Sequence, residues 1–222
     1  MIGTGSLLGV KGYGKEPKSI PVGSETVIDM YPLDFEEFLW ANGVSASIIE
    51  MLDSCLKTET PVPDALHNHM KQLLLQYTVV GGMPEAVQTF VNTKQMDKVI
   101  RIQKDIVHSY EDDMVKYAEK SDKSHIKECF QSIPKQLSKE NKKFQYSVIR
   151  KGSTASKYAG SLQWIEDAGI ISRCYNLSIT ELPLDGNSVT DVFKVYMKDY
   201  NVGRSGKILT LPLYMAFLLR EF

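Results

Sequence analysis

The sequence predicts a mainly α fold with a small β component (α+β), and three observations point there. Residues 45–118 carry apolar side chains at three- and four-residue steps, the spacing of helices that bury one face. Residues 124–197 follow the order of a winged helix-turn-helix: helix, short segment, helix, strand, turn, strand. Outside that stretch only residues 26–31, Thr-Val-Ile-Asp-Met-Tyr, read as a strand, stopped by Pro32.

In chain order, Asp34 is placed to cap a short helix over residues 35–40, with Phe35, Phe38 and Leu39 on one face. A second helix covers residues 47–56. A third follows Pro63 with Asp64 as its cap and runs to about Val80, where Gly81 and Gly82 end it. Met83-Pro84-Glu85 opens a fourth, with Pro84 tolerated in the first turn. The longest spans about residues 95–117. Its inward stripe reads Met96, Val99, Ile100, Gln103, Val107, Tyr110 and Met114, while Lys98, Arg101, Lys104, Asp105 and Glu111 mostly face away.

The winged-helix region opens with a helix over residues 125–137, followed by Phe144-Gln145-Tyr146-Ser147-Val148-Ile149. Its second helix starts at Gly152-Ser153-Thr154, with Ser153 or Thr154 as cap and Ala155, Tyr158, Leu162 and Ile165 facing inward, and it stops at Gly169. Residues 170–175 and 192–197 are expected to pair around a wing whose tip is Pro183-Leu184-Asp185-Gly186-Asn187.

Composition narrows the function classes. With 222 residues, 43% hydrophobic and 24% charged, the chain suits one large or two small globular domains. A net charge of −1 removes global basicity as a sign of nucleic-acid binding, so any such signal must be local. Cys55, Cys129 and Cys174 are scattered, odd in number and free of any CxxC, and read as three buried thiols in a reducing cytoplasm. No export signal is evident, and the apolar run 208–219 holds Pro212 and is too short to cross a bilayer. A cytoplasmic protein with no membrane association is expected.

Candidate chemistry is sparse. Gly9-Val10-Lys11-Gly12-Tyr13-Gly14-Lys15-Glu16 has GxxxxGK spacing, but Glu16 replaces the magnesium-binding hydroxyl and Pro17 blocks the helix that would aim at phosphate. It reads as a flexible basic loop. Glu36-Glu37 and Asp112-Asp113 are neighbours whose side chains diverge on a helix. His67 and His69 diverge likewise, with no third ligand near them; His108 and His125 stand alone, and Ser6 lacks a GxSxG context. No catalytic residue and no metal site is assigned.

The remaining signal is local positive charge: Lys135, Lys139, Lys142, Lys143, Arg150, Lys151, Lys157 and Arg173, against Glu140, Glu166 and Asp167. A DNA-reading winged helix sets its second helix in the major groove, with phosphates near its start. The contact candidates are therefore Lys142, Lys143, Arg150, Lys151, Ser153, Thr154, Ser156 and Lys157. No base-reading Arg or Asn set accompanies them, so DNA, another protein domain and a merely solubilising face all stay open.

In order, these elements resemble a prokaryotic AAA-like ATPase of the archaeal-ATPase type with a C-terminal domain of unknown function. The resemblance covers most of residues 3–199. It rests on Gly3-Thr4-Gly5-Ser6-Leu7-Leu8-Gly9, on Met30-Tyr31-Pro32-Leu33-Asp34-Phe35-Glu36-Glu37-Phe38-Leu39, and on Gly81-Gly82-Met83-Pro84-Glu85-Ala86-Val87. Arg101-Ile102-Gln103-Lys104-Asp105-Ile106, Ser132-Ile133-Pro134-Lys135-Gln136-Leu137, Lys139-Glu140-Asn141-Lys142-Lys143-Phe144 and Ser161-Leu162-Gln163-Trp164-Ile165-Glu166-Asp167-Ala168-Gly169 extend it.

The resemblance implies a remnant of an ATPase core over residues 1–31, a helical lid subdomain over 32–120, a winged helix over 121–200 and a divergent tail over 201–222. In such proteins the phosphate loop and the acidic magnesium strand lie upstream of the Gly-Thr-Gly-Ser turn. Thr4 and Ser6 would then face nucleotide only if that core were restored. ATP and magnesium belong to full-length relatives and no cofactor to this chain. The family's nuclease-like region, which follows a strand matching residues 193–199, is not continued by residues 204–222, so a chain shortened at both ends is expected. Three functional expectations follow: a non-catalytic lid-plus-winged-helix module that contacts protein or DNA, a DNA-binding regulator, and an ATP-binding protein whose nucleotide core is supplied by missing upstream sequence or another chain. The oligomeric state stays open.

Overall fold

A computed structural model of the chain describes Ile28 and residues 30–117, 122–139 and 141–198. Thr4, Ser6, the GxxxxGK stretch 9–15 and the tail 201–222 lie outside the described residues. The fold is mainly helical with a small antiparallel sheet. Among the described residues the elements are α1 Phe35–Ala41, α2 Ala46–Lys57, α3 Asp64–Val80, α4 Pro84–Thr93, α5 Met96–Tyr117, α6 Lys123–Leu137, α7 Tyr146–Ile149, α8 Ala155–Asp167, β1 Ile171–Leu177 and β2 Ser188–Met197. They fall into two compact units, Pro32–Ile106 and Val107–Lys198, divided within α5.

In the first unit the capping signal is stronger than the sequence suggested. The Asp34 carboxylate accepts from the Glu37 amide at 2.9 Å, and Glu37 accepts in return from the Asp34 amide at 2.8 Å. This reciprocal box satisfies two amides that a helix start leaves open, and it gives Glu37 a structural task. Behind it, Phe35, Phe38 and Leu39 are buried. Phe38 packs against Phe90 (ring centroids 6.1 Å) and Tyr77 (5.3 Å), and these rings join Leu52, Met70, Val80, Val87 and Val99 in one core.

The Pro32-Leu33-Asp34 run and the Gly81-Gly82-Met83-Pro84 run meet. The Leu33 amide donates to the Gly82 carbonyl at 2.7 Å, and the Tyr77 hydroxyl donates to the Leu33 carbonyl at 2.9 Å. A Cβ on Gly82 would lie 2.1 Å from the Leu33 carbonyl oxygen, so only glycine permits this approach. Gly81, at φ 75° and ψ −165°, holds a conformation essentially reserved for glycine and breaks the chain between α3 and α4. The Gln103 amide of α5 donates to the carbonyls of Val79 and Val80 at 2.8 and 3.1 Å, covering the open end of α3.

Four local expectations are corrected here. Asp64 is the first residue of α3, and Pro63 holds the cap position without a side-chain bond, because a proline there presets the turn. On α5, Ile100 is exposed, and Ile102 packs against the core in its place. Ile28, Met30 and Tyr31 lie in no strand and are exposed. Of the three cysteines only Cys129 is buried; Cys55 is half-buried and Cys174 exposed.

The second unit packs α6 against α8, with α7 between them in sequence and β1–β2 behind. Ile126, Cys129, Ile133, Tyr158, Leu162, Ile165, Ile171, Val195 and Met197 make its core. The strands pair antiparallel from Ile171 opposite Met197 to Tyr175 opposite Phe193, and after an irregularity they continue from Asn176 opposite Val189. Lys143 adds an isolated antiparallel bridge to Lys194, anchored by the Phe144 amide donating to the Phe193 carbonyl at 2.9 Å. Phe144 stacks on Phe193, centroids 5.5 Å apart, at that edge.

Candidate functional site

Of the candidate contact residues, Ser153, Thr154, Ser156 and Lys157 lie at the start of α8 and Arg150 and Lys151 precede it in sequence, while Lys142 and Lys143 adjoin β2, where Lys143 bridges Lys194. Thr154 is the cap residue by position, yet neither it nor Ser153 caps with its side chain: the Thr154 hydroxyl pairs with that of Ser156 at 3.0 Å. Ala155, expected to face inward, is exposed, and Ser161 takes a buried place instead, because the inward face of α8 turns through Tyr158, Ser161, Leu162 and Ile165. The outer face is left with Ala155, Ser156, Lys157, Ala159, Gly160 and Gln163.

Tyr158 anchors this end. Its ring is fully buried and meets His125 edge-on at 4.9 Å, while its hydroxyl donates to the Glu128 carboxylate at 2.5 Å. That bond favours the protonated phenol and raises its pKa, and burial adds to the shift. Lys157 lies over the same ring at 5.7 Å. Cys129 sits deeper, and burial pushes its thiol up to about 12, so it stays protonated and unreactive at neutral pH.

The structure sorts the cations of the sequence into two groups. Arg173 is committed: its guanidinium pairs with Glu166 through Nε at 2.6 Å and through a second, shorter contact, and it donates to Gln163 as well. Lys142, Lys143, Arg150, Lys151 and Lys157 form no ion pair with any described residue. Lys142, Arg150, Lys151 and Lys157 are exposed and Lys143 half-buried. Lys139 is held by Gln145 at 3.2 Å.

The loop between β1 and β2 differs sharply in chemistry. Residues 178–187 contain Glu181 and Asp185 and no Lys or Arg. They expose Leu182 (86%), Ile179 (54%) and Leu184 (46%). Asn187 fixes the loop, its amide donating to the Glu181 carbonyl at 2.8 Å while its own carbonyl accepts from the Ser178 amide at 2.9 Å. Composition and net charge hid this feature, but the lack of any cation between Ser178 and Asn187 was there to be read.

Tyr158 and Glu128 form a hydrogen-bonded pair that holds the ring of α8 against α6. No group of three or more His, Cys, Asp or Glu residues among the described residues could hold a metal ion. His67 and His69 stand apart from such a group, and the buried Nε2 of His67 meets no hydrogen-bond partner among the described residues. No helix among the described residues is long and apolar enough to cross a membrane.

Comparison with known proteins yields one match, to the family model described as "Domain of unknown function (DUF8612)", over residues 71–204. That span is more than half of the 222 residues and runs from within α3 past the end of β2. No curated protein and no solved structure matches the chain.

Proposed function

The chain belongs to the DUF8612 family, and from that premise we propose that it acts as a non-catalytic contact module, a helical bundle joined to a winged helix that docks on another protein. The observation that carries this reading is the wing. A wing that follows DNA needs cations to meet phosphate; this one offers two carboxylates and three exposed aliphatic side chains. Exposed aliphatic groups beside acids suit a protein surface. The outer face of α8 fits the same reading, since Ala155, Ala159 and Gly160 allow close approach and supply no base-reading donors.

The kinship with AAA-like ATPases belongs to this proposal. It is supported by the two runs that carry the resemblance, which meet through Leu33 and Gly82. On that kinship the bundle is a lid, and turnover of nucleotide is the work of an ATPase core. Thr4 and Ser6 would face ATP only within such a core, and no step is routed through them.

A second reading, DNA binding, is favoured by Lys142, Lys143, Arg150, Lys151 and Lys157, which form no ion pair with a described residue, together with Ser153, Thr154 and Ser156 at the start of α8. It predicts contacts to phosphate with little sequence preference.

A photo-crosslinking residue in place of Leu182 tests the main reading in cells. A discrete protein adduct is expected, and it should disappear when Ile179 and Leu184 are both changed to Asp. Salt-dependent retention of duplex DNA by the purified chain, abolished by Lys151→Glu with Lys157→Glu, would move the assignment to the second reading. Magnesium-dependent ATP hydrolysis lost on Lys15→Ala would overturn the non-catalytic assignment.

A further inference from the structure

The outer edge of β1 carries a feature that contact with a partner through α8 and the wing does not use. The Lys198 amide donates to the Ile170 carbonyl at 2.9 Å, which fixes the alternation of the pair. Ile170, Ser172 and Cys174 bond toward β2, so the backbone groups of Ile171, Arg173 and Tyr175 point outward. β2 obeys the same parity on its far side, where the outward Phe193 carbonyl accepts from Phe144. One edge of the sheet is thus met by the 143–144 segment, and the other is the edge of β1.

At the centre of that edge the Arg173 amide donates to Glu166 Oε1 at 2.9 Å, while the other carboxylate oxygen of Glu166 holds the Arg173 guanidinium. A side chain from α8 therefore takes the position that a carbonyl of an added strand would take. Exposed strand edges recruit further strands unless something blocks them, and charged side chains at the edge are a common block.

The sequence of β1 suits pairing with itself. Read antiparallel about Cys174, Ile-Ser-Arg-Cys-Tyr-Asn-Leu sets Ile171 opposite Leu177, Ser172 opposite Asn176 and Arg173 opposite Tyr175 of a second copy. Apolar meets apolar, polar meets polar, and a guanidinium meets a ring, the contact that Arg173 already makes with Tyr175 at 5.7 Å. The outward residues 173 and 175 would exchange the hydrogen bonds, and Cys174 would face Cys174 of the second copy in a non-hydrogen-bonded pair.

We propose that the Glu166 carboxylate is an autoinhibitory clasp on β1, and that releasing it lets two copies of the chain join through this edge, antiparallel about Cys174. The facing Cys174 Cα atoms would lie roughly 4.5 Å apart, within the roughly 4.4–6.8 Å that a disulfide spans. The test uses the full chain and diamide, which takes two electrons and two protons from a thiol pair as the disulfide forms and is itself reduced to the hydrazine.

In Glu166→Ala the Cys174-linked dimer on a non-reducing gel is expected to rise about tenfold over the unsubstituted chain, the factor matching loss of one charged hydrogen bond. Glu166→Gln keeps an acceptor for the Arg173 amide and should stay near the unsubstituted level. Adding Cys174→Ser to Glu166→Ala should remove the band. Arg173→Ala removes the guanidinium anchor from the clasp, keeps the edge amide and should give an intermediate rise; it stands in for Glu166→Ala if circular dichroism shows that variant unfolded. A folded clasp-free variant with no more linked dimer than the unsubstituted chain, or an equal yield from Glu166→Gln and Glu166→Ala, would overturn the proposal.

Discussion

The two units use polar side chains in opposite ways. In residues 32–106 they close the fold on itself: Asp34 and Glu37 lock a helix start, the Tyr77 hydroxyl holds a loop carbonyl, and Gln103 covers the end of α3. In residues 107–198 one set does the same, with Glu128 on Tyr158 and Glu166 on Arg173, while Lys142, Lys143, Arg150, Lys151 and Lys157 form no ion pair with a described residue. Unpaired cations and bare aliphatic groups keep their interaction energy for an encounter. On the proposed contact role, these groups of the second unit are where a partner would meet the chain.

Each unit holds one of the two tryptophans, Trp40 in the first and Trp164 in the second, so each reports its own unfolding once the other is changed to Phe. The largest effect is expected for Phe38→Ala, which empties the centre of the ring cluster and should cost the Trp40 transition about 4 kcal/mol in urea titration. An equal loss in the Trp164 transition would mean that the units unfold as one body and would break the comparison. Gly82→Ala comes next, at about 3 kcal/mol, because its Cβ must displace the Leu33 carbonyl.

In the second unit Tyr158→Phe should cost about 1 kcal/mol by removing the donor to Glu128, read on the Trp164 transition. The smallest effect is a pH dependence. The pKa of Cys129 is raised in the folded chain to about 12, so its stabilising contribution is complete below the unfolded thiol value and is lost as pH rises from there through the folded one. A decline of about 1 kcal/mol by pH 10 is expected, and it should vanish in Cys129→Ala. At neutral pH a thiol reagent should label Cys174 and spare Cys129 until the chain unfolds.

Helices α1 to α6 and α8 and the hairpin were legible because their signals are local. Apolar period, Pro at a helix start and paired glycines at a helix end act within one or two turns of chain. The capping box was half-legible: Asp34 was seen as a cap, whereas Glu37 was grouped with Glu36 as a solvated pair because its return bond needs the helix already formed. Ser153 and Thr154 look like caps by residue type, but the Thr154 hydroxyl turns to Ser156 once α8 packs.

The candidate site was legible as a list of residues and no further. Nothing in the spacing of Arg173 separates it from Lys157, and only the fold brings Glu166 and Gln163 to the first and leaves the second without an ion pair. Likewise Ile100 and Ile102 both fit an apolar helix, and the neighbouring elements chose between them.

The sequence by itself determined the mainly helical class, the order of elements and the chemistry of the loop between β1 and β2, because these depend on residue type and on near-neighbour geometry. The tertiary structure alone decided that Leu33 and Gly82 touch, which cations are neutralised, that one cysteine of three is buried, and that the edge of β1 is guarded. Those outcomes rest on groups brought together from distant points of the chain, and short-range periodicity carries no information about such encounters.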